Sequence, residues 1–128
     1  MGKVEGVQAE NYFISELNRV GLMYEYIDGW FDFIVGKSTK VEVKSCQLAV
    51  KDLSEVLREG RFDFTNGATR ILQHTQNIWV CFILRHYDDF MLLGFIRAGE
   101  LEQKRYIHLH SLFNYDLVPF DEWIKQIP

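Results

Sequence analysis

The chain has 128 residues, a net charge of −4 at neutral pH and 48% apolar residues. This length fits a single domain with one core, which we expect to span residues 1–128. No apolar run approaches the roughly 20 residues of a membrane span and residues 1–10 lack a signal-peptide core, so we expect no membrane partner. The acidic balance argues against a nonspecific nucleic-acid coat.

The first predicted helix covers about Val7 to Val20. Phe13 and Leu17 follow helical spacing along its buried stripe. Glu10 falls on the same stripe, three residues before Phe13. A carboxylate on an apolar helix face is unusual and requires an explanation. Glu10 is either partly solvated in the first turn and favoured by the helix dipole, or part of a site.

A strand is predicted over Leu22 to Ile27, with Asp28 in the turn that follows. The stretch from Trp30 to Gln47, WFDFIVGKSTKVEVKSCQ, then predicts a hairpin, because its two arms are β-rich and the GKST between them is a plausible turn. Side chains of a strand alternate between faces, which puts Glu42 on one side together with Lys40 and Lys44. The hairpin would also bring Asp32 near Glu42. Two acids and an ammonium among apolar residues call for a compensating divalent cation.

Asp32, followed by Glu42-Val43-Lys44 in a strand context, resembles the Asp–spacer–Glu-x-Lys signature of the PD-(D/E)xK nuclease superfamily. That superfamily includes restriction endonucleases and archaeal Holliday-junction resolvases, and Phe31 stands where its usual proline would be. The resemblance implies an α/β fold with a restriction-endonuclease-like αβββαβ core, a mixed central sheet flanked by helices. It covers about residues 7–97, and residues 98–128 are then a C-terminal extension.

The same resemblance implies a Mg²⁺-dependent, or Mn²⁺-dependent, phosphodiesterase site. Asp32, Glu42 and the Val43 carbonyl supply the oxygen ligands that Mg²⁺ prefers. Lys44 is placed to hold or activate the attacking water, and Gln47 either contacts phosphate or water or simply ends the strand. Glu10 is the expected third acid, because a first-helix Glu often joins the metal site in this family. The alternative for Asp32, Glu42 and Lys44 is an ion-pair ladder on a solvated sheet face.

Four basic residues are candidate phosphate contacts, and a solvated surface is their alternative: Lys51, Arg58, Arg61 and Arg70. The stretch Leu48 to Arg58 is predicted as a short amphipathic helix or an ordered loop. Arg61 to Thr65 alternates and predicts a short edge strand, in which we assign Asp63 to structure because no Glu-x-Lys follows it. Ala68 to Gln76 predicts a second helix.

The continuous apolar run Ile78 to Leu84 predicts a central strand covered on both faces. The elements predicted after it are a turn at Asp88-Asp89, a strand over Phe90 to Ile96, a helical turn in Ala98 to Gln103, a strand over Tyr106 to His110 and a C-terminal helix over Phe120 to Ile127. His108 and His110 form an H-x-H pair that could bind metal from one face of their strand. Cys46 and Cys81 lie in strand-like apolar runs and are expected to be reduced core residues, so we expect a cytoplasmic protein.

Three functions are compatible with these patterns. The first is a metal-dependent DNA endonuclease that acts on duplex, branched or junction DNA, as a homodimer because cutting two strands needs two sites. The second is an RNA-directed nuclease of the same fold. The third is a catalytically silent protein that uses the fold for binding or assembly.

Overall fold

The computed structural model describes residues 2–27, 29–51, 57–64 and 77–128, with side chains from residue 6 onward. Its mixed α/β elements are, in chain order, α1 (Gly2–Arg19), β1 (Tyr24–Tyr26), β2 (Phe33–Val35), β3 (Thr39–Gln47), β4 (Ala49–Lys51), β5 (Leu57–Glu59), β6 (Arg61–Asp63), β7 (Ile78–His86), β8 (Asp89–Arg97), a 3₁₀ turn (Ala98–Glu100), β9 (Tyr106–His108), α2 (Leu109–Leu112) and α3 (Phe120–Ile124). None of these helices is long and apolar enough to cross a membrane.

A five-stranded sheet in the order β1-β2-β3-β7-β8 forms the centre of the molecule. Strands β3 and β7 run parallel, and every other neighbouring pair in the sheet is antiparallel. The sheet is therefore mixed, as expected from the sequence. Its middle strand is β3, whereas the apolar run predicted to be central, β7, lies between β3 and the edge strand β8.

The alternation of side chains along the strands gives the sheet two buried faces. On one face α1 and α3 cover the sheet, and Trp123 of α3 stacks on Phe95 with ring centroids 3.9 Å apart. On the other face the cover comes from β6, β9 and α2, through Phe62, Ile107 and Leu112. Residues after position 97 therefore contribute buried side chains to both apolar clusters.

Several predicted boundaries were wrong. Helix α1 begins at Gly2 rather than Val7, because no proline or capping residue interrupts the helical sequence before Val7. The strand predicted from Leu22 is confined to β1, and the first arm of the predicted hairpin is confined to β2. Asp32 therefore lies just before β2 and not within it. The second arm, β3, extends over its predicted length to Gln47.

The stretch predicted as a helix or loop after Gln47 forms a two-stranded arm instead. Strand β4 pairs with β5 antiparallel, in the register Ala49↔Glu59, Val50↔Arg58 and Lys51↔Leu57. Three apolar residues, Val50, Leu53 and Leu57, are too few to distinguish a helical period from another pattern. The pairing of β4 with β5 therefore could not be predicted from them. Residues 52–56 lie outside the described part of the chain.

Strand β6 is not an edge strand of the central sheet, because it pairs with β9 in a separate two-stranded ribbon. Its predicted end at Thr65 and the predicted helix Ala68 to Gln76 fall outside the described residues, as does Asp28. The strand predicted over Tyr106 to His110 ends at His108 and continues as α2. Four elements are present where the sequence predicted them: β7, β8, the 3₁₀ turn and α3. Helix α3 ends at Ile124, three residues before its predicted end at Ile127.

Candidate active site

Asp32 pairs with the middle of β3 through both its backbone and its side chain, although it lies outside any strand. The backbone N–H of Asp32 donates to the Val41 carbonyl at 3.1 Å, which continues the β2–β3 ladder by one step. At the next step along β3, the backbone N–H of Val43 donates to Oδ2 of the Asp32 side chain at 2.8 Å. The N–H and C=O of one strand residue point to the same side. The Val43 carbonyl therefore points toward the side on which the Asp32 carboxylate lies.

Glu42 is buried beside Asp32, with 8% of its surface exposed. Its register partner on β7, Val80, belongs to the apolar cluster on that face of the sheet. Burial raises the pKa of Glu42 to about 9, and the charge of Asp32 and a hydrogen bond with its carboxylate add to the rise. Glu42 is the one charged residue that is buried among those the structure describes.

The ion-pair ladder offered as the alternative is wrong, because a ladder on a solvated face would expose Glu42. The two lysines of that face also differ in their surroundings. Lys44 Nζ lies 3.9 Å from Glu42 Oε2, with 19% of the lysine side chain exposed, and 5.4 Å from the ring centroid of the buried Phe64. Lys40 Nζ lies over the rings of Trp30 and Phe31 instead. Only Lys44 brings its charge to the acids, where it opposes the rise in the Glu42 pKa.

Glu10 brings a third carboxylate to this cluster from α1. Ala9, Phe13 and Leu17 form the fully buried line of the helix, and Glu10 stands next to that line, half-buried. Partial burial and the charge of Asp32 raise the pKa of Glu10 to about 7, while a hydrogen bond with the Tyr26 side chain opposes the rise. We call Glu10, Asp32 and Glu42 the carboxylate cluster.

Tyr26 is a residue of this site that the sequence did not reveal. It lies in β1 opposite Phe33, the residue after Asp32, and the backbone N–H of Ile27 donates to the Asp32 carbonyl at 2.8 Å. The sequence around a tyrosine in a predicted strand does not indicate which acidic side chain the tyrosine will contact. Only the pairing of β1 with β2 brings Tyr26 to Glu10.

Asp32, Glu42 and the Val43 carbonyl offer oxygen donors of the kind that Mg²⁺ and Mn²⁺ bind. Among the described residues, no three His, Cys, Asp or Glu side chains converge into a group that could hold a metal ion by themselves. Mg²⁺ needs fewer protein ligands, since it commonly uses one or two carboxylates and keeps several waters. Asp32 and Glu42 are hydrogen-bonded to each other, and the Val43 carbonyl faces the same side. These three hard oxygen donors meet that requirement.

A groove with a volume of about 560 Å³ lies beside the second half of β3, where residues 43–47 line it. The residues that line it are Gly6, Val43, Lys44, Ser45, Cys46, Gln47, Val50, Arg58, Arg61, Asp63 and Tyr106. Lys44, Arg58 and Arg61 give the groove three cations. The guanidinium of Arg61 lies 3.7 Å from the centroid of the Tyr106 ring, which holds it against the wall by a cation–π contact. We call this space the basic groove.

Not all of the predicted basic contacts belong to the groove. Val50 and Arg58 are cross-strand partners, so their side chains share the face of the arm that lines the groove. Lys51 is the next residue along β4 and points to the opposite face, which separates it from the groove. Arg70 lies outside the described residues. Asp63 lines the groove away from the carboxylate cluster.

The H-x-H pair does not form a strand-face metal site. His108 ends β9 and His110 belongs to α2, so the strand alternation on which the prediction relied stops between them. Their rings are stacked with centroids 5.9 Å apart, and Nδ1 of His110 contacts a carboxylate oxygen of Glu59. The backbone N–H of His110 donates to the same oxygen at 3.1 Å and lowers the pKa of Glu59. His110 thus ties α2 to β5.

Both cysteines are buried free thiols, as expected. Burial raises the pKa of Cys46 to about 12, so this thiol at the wall of the groove is not a nucleophile at neutral pH.

Comparison with known protein families, with curated proteins and with solved structures finds no match to this chain. The resemblance to the PD-(D/E)xK superfamily therefore stays a prediction from the residues themselves.

Proposed function

We propose that this chain is a metal-dependent endonuclease of the PD-(D/E)xK type that hydrolyses phosphodiester bonds in DNA. The observation that carries the proposal is Glu42, a carboxylate buried against a second carboxylate, with Lys44 as a close cation. Burying an acid beside a second acid costs stability, and sites of this kind are retained where a cation or a reaction uses them. Lys44 lines the basic groove and lies 3.9 Å from Glu42, and this link between the carboxylates and a cationic groove supports a phosphate-containing substrate.

The finer fold is part of the same proposal. Helix α1, strands β1 to β3 and a parallel strand β7 follow one another as in an αβββαβ core. The second helix of such a core, predicted from the sequence over Ala68 to Gln76, lies outside the described residues.

Each residue of the site has a chemical task in this proposal. Asp32, Glu42 and the Val43 carbonyl would hold Mg²⁺ or Mn²⁺. Mg²⁺ bound there would supply positive charge against the negative charge that develops on the phosphate. Lys44 would orient the attacking water by donating a hydrogen bond to it and would offset the negative charge that develops, because its ammonium is held beside Glu42 and the ring of Phe64. Glu10 would orient the same water from the α1 side.

The basic groove would position the nucleic-acid backbone. Arg58, Arg61 and Gln47 can donate hydrogen bonds to phosphate oxygens, and Arg61 is already oriented by the Tyr106 ring. Binding that depends on these cations should weaken as salt rises, because each neutralised phosphate releases counterions.

The decisive test is a cleavage assay on branched, duplex and single-stranded DNA and on RNA, with Mg²⁺, Mn²⁺ or EDTA. Glu42→Gln and Lys44→Ala should each reduce cutting by at least about 100-fold, the usual contribution of a positioned acid–base or electrostatic group. Lys40→Ala is the matched control, since Lys40 lies on the same strand and face but over Trp30. It should cut as the wild type does.

The other outcomes identify the alternatives. Cutting of RNA alone would replace the DNA substrate with RNA. A folded wild type that cuts nothing and binds no Mg²⁺ would make the chain a silent binding module. Light scattering of the protein with and without duplex DNA tests the proposed homodimer, which cutting of both strands requires.

A further inference from the structure

Glu10 stands where two effects favour turning its side chain away from the carboxylate cluster. It is half-buried at the border of the apolar line of α1, so water is within its reach. Burial and the charge of Asp32 both raise the pKa of Glu10, to about 7. Both therefore disfavour a charged carboxylate in this position. A flexible glutamate turns toward water under these conditions unless another group holds it.

The Tyr26 hydroxyl is the group that opposes this tendency. Burial and the Asp32 charge raise the pKa of Glu10, whereas a hydrogen bond with the Tyr26 side chain lowers it. The phenol donates in this bond, because an ionised carboxylate can only accept. A donated hydrogen bond stabilises the charged form of the acid, in the place where its neighbours destabilise it.

The Tyr26 ring is itself held in place by a closed set of contacts. Tyr26 and Phe33 are register partners in β1 and β2, and their rings meet edge to face with centroids 5.5 Å apart. Phe33 is fully buried, and its ring centroid lies 5.3 Å from that of Phe13 on α1. Glu10 lies three residues before Phe13 on the same helix, which returns the path to the Tyr26 hydroxyl.

Strand β1 thus acts on two members of the cluster. The backbone N–H of Ile27 donates to the Asp32 carbonyl at 2.8 Å, and the side chain of the preceding residue, Tyr26, bonds to Glu10. The backbone of one acid and the side chain of the other are therefore fixed by adjacent residues of one strand.

Tyr24 offers a comparison within the same strand. It lies two residues before Tyr26, on the same face, and its ring also meets Phe33 edge to face, with centroids 6.1 Å apart. Tyr26 is the more exposed of the two, at 54% against 37%. Ring packing therefore does not set Tyr26 apart, whereas its hydrogen bond with Glu10 does.

We propose that Tyr26 is a positioning residue of the metal site, whose hydroxyl holds Glu10 beside Asp32 so that the third carboxylate is in place when a divalent cation binds. This inference rests on the proposed function, in which the cation is held by Asp32, Glu42 and the Val43 carbonyl. Glu10 adds its negative charge from the α1 side. Groups that orient the surroundings of a metal commonly change its affinity or the activity by roughly 10- to 100-fold when they are replaced.

Four variants of the full chain isolate the hydroxyl. Tyr26→Phe removes one oxygen atom and keeps the ring against Phe33. Tyr24→Phe makes the same change at the neighbouring tyrosine and is the matched control. Glu10→Ala removes the acceptor from α1, where alanine is a favourable helix residue. The double variant Tyr26→Phe/Glu10→Ala shows whether Tyr26 acts through Glu10.

The first readout is the affinity of the substrate-free protein for Mn²⁺, measured by titration calorimetry. Tyr26→Phe should weaken binding by about 10-fold, Glu10→Ala by at least as much, and the double variant by no more than Glu10→Ala alone. Tyr24→Phe should bind as the wild type does. Glu42→Gln should abolish the signal, which assigns it to the carboxylate cluster. A merely structural contact would leave the Mn²⁺ affinity of Tyr26→Phe unchanged or give losses that multiply in the double variant.

The second readout is the rate of cutting at different Mn²⁺ concentrations. Below saturation the rate follows the occupancy of the metal site, so Tyr26→Phe should cut about 10-fold more slowly than the wild type. Saturating Mn²⁺ should restore the rate, because Glu10 is then held by its attraction to the cation. A distorted fold would not be rescued in this way. Urea unfolding checks that each variant is folded.

The outcomes separate this inference from the proposed function. If the wild type cuts DNA while Tyr26→Phe binds Mn²⁺ and cuts as the wild type does, the positioning role is overturned and the nuclease stands. If Tyr26→Phe weakens Mn²⁺ binding through Glu10 but no substrate is cut, the positioning role stands and the nuclease is overturned. A folded wild type that neither binds Mn²⁺ nor cuts overturns both.

Discussion

The two ends of β3 differ in what covers them and in how well their residues suit local stability. At the start of β3, Gly36 occupies a turn with a φ of +62°, a conformation that glycine adopts freely, and Ile127 and Pro128 pack over it. In the middle of β3, Glu42 is buried beside a second carboxylate. Beyond the far end of β3, the turn after β7 has Tyr87 where a small residue would be cheaper. The chain thus follows the rules of stability before β3 and departs from them in the middle of the strand and beyond its far end, as functional sites commonly do.

The largest expected effect comes from Gly60, which brings the arm and β6 against the last residue of β3. A Cβ at position 60 would overlap the backbone carbonyl oxygen of Gln47 and press on the Cys46 sulfur. We expect Gly60→Ala to lower the free energy of unfolding by about 3 kcal/mol or more, because backbone must move to relieve the overlap. Urea unfolding followed by circular dichroism measures the loss. A stability equal to that of the wild type would contradict the close approach that forms the groove wall.

Gly36→Ala tests the other end, and its effect should be smaller. The new methyl group would meet Cγ2 of Ile127 at 2.8 Å and the Pro128 carbonyl at 3.3 Å, in a backbone conformation that alanine disfavours. We expect a loss of about 2 kcal/mol in the same assay. Gly21→Ala is a control that has a similar φ of +74° but open space around it. Gly36→Ala should cost more than this control, and equal losses would show that the C-terminal residues do not cover the turn.

The carboxylate cluster makes stability depend on pH in a direction opposite to that of a salt-bridged acid. The pKa values of Glu42 and Glu10 are raised in the folded state, to about 9 and about 7. Between pH 4.5 and 9 the folded chain therefore holds protons that the unfolded chain has released. The free energy of unfolding should fall as pH rises through this range when no divalent cation is present.

Glu42→Gln identifies the source of that pH dependence. The amide keeps the shape of the side chain and is neutral without taking up a proton on folding, so the variant should gain about 1 kcal/mol or more at pH 8 while losing activity. Its unfolding free energy should also change less between pH 5 and 9 than that of the wild type. Glu25→Gln, on the exposed strand β1, should change neither quantity. A wild type whose stability rises with pH over this range would contradict the buried pair.

Tyr87→Asn should have the smallest effect and the opposite sign to the glycine variants. Asparagine tolerates the positive φ of this turn better than tyrosine does, and almost no packing is lost. We expect a gain of about 0.5 kcal/mol in unfolding free energy. A clear loss of stability would mean that the tyrosine ring supports the turn, and the comparison between the two ends would then weaken.

Helices and strands that have a clear periodic pattern within their own residues could be predicted from the sequence. Alternation along residues 40–44 places Glu42 and Lys44 on one face of β3, and the structure confirms it. The continuous apolar runs of β7 and β8 and the apolar spacing of α3 were equally readable, because backbone geometry imposes these periods wherever the segment folds. The spacing from Asp32 to Glu42 likewise implied their contact, since a hairpin brings its two arms together.

Only the tertiary structure decided the features that depend on distant segments. The arm formed by β4 and β5 has too few apolar residues to show a strand or helix period. The pairing of its two strands and the close approach of Gly60 to Gln47 place it against the end of β3. Burial of Glu42 required cover from segments far along the chain, which no pattern around residue 42 encodes. The contact of Tyr26 with Glu10 arises where α1 and β1 meet Asp32. Burial and proximity are sums over many long-range contacts, whereas a sequence period reports only the geometry of its own segment.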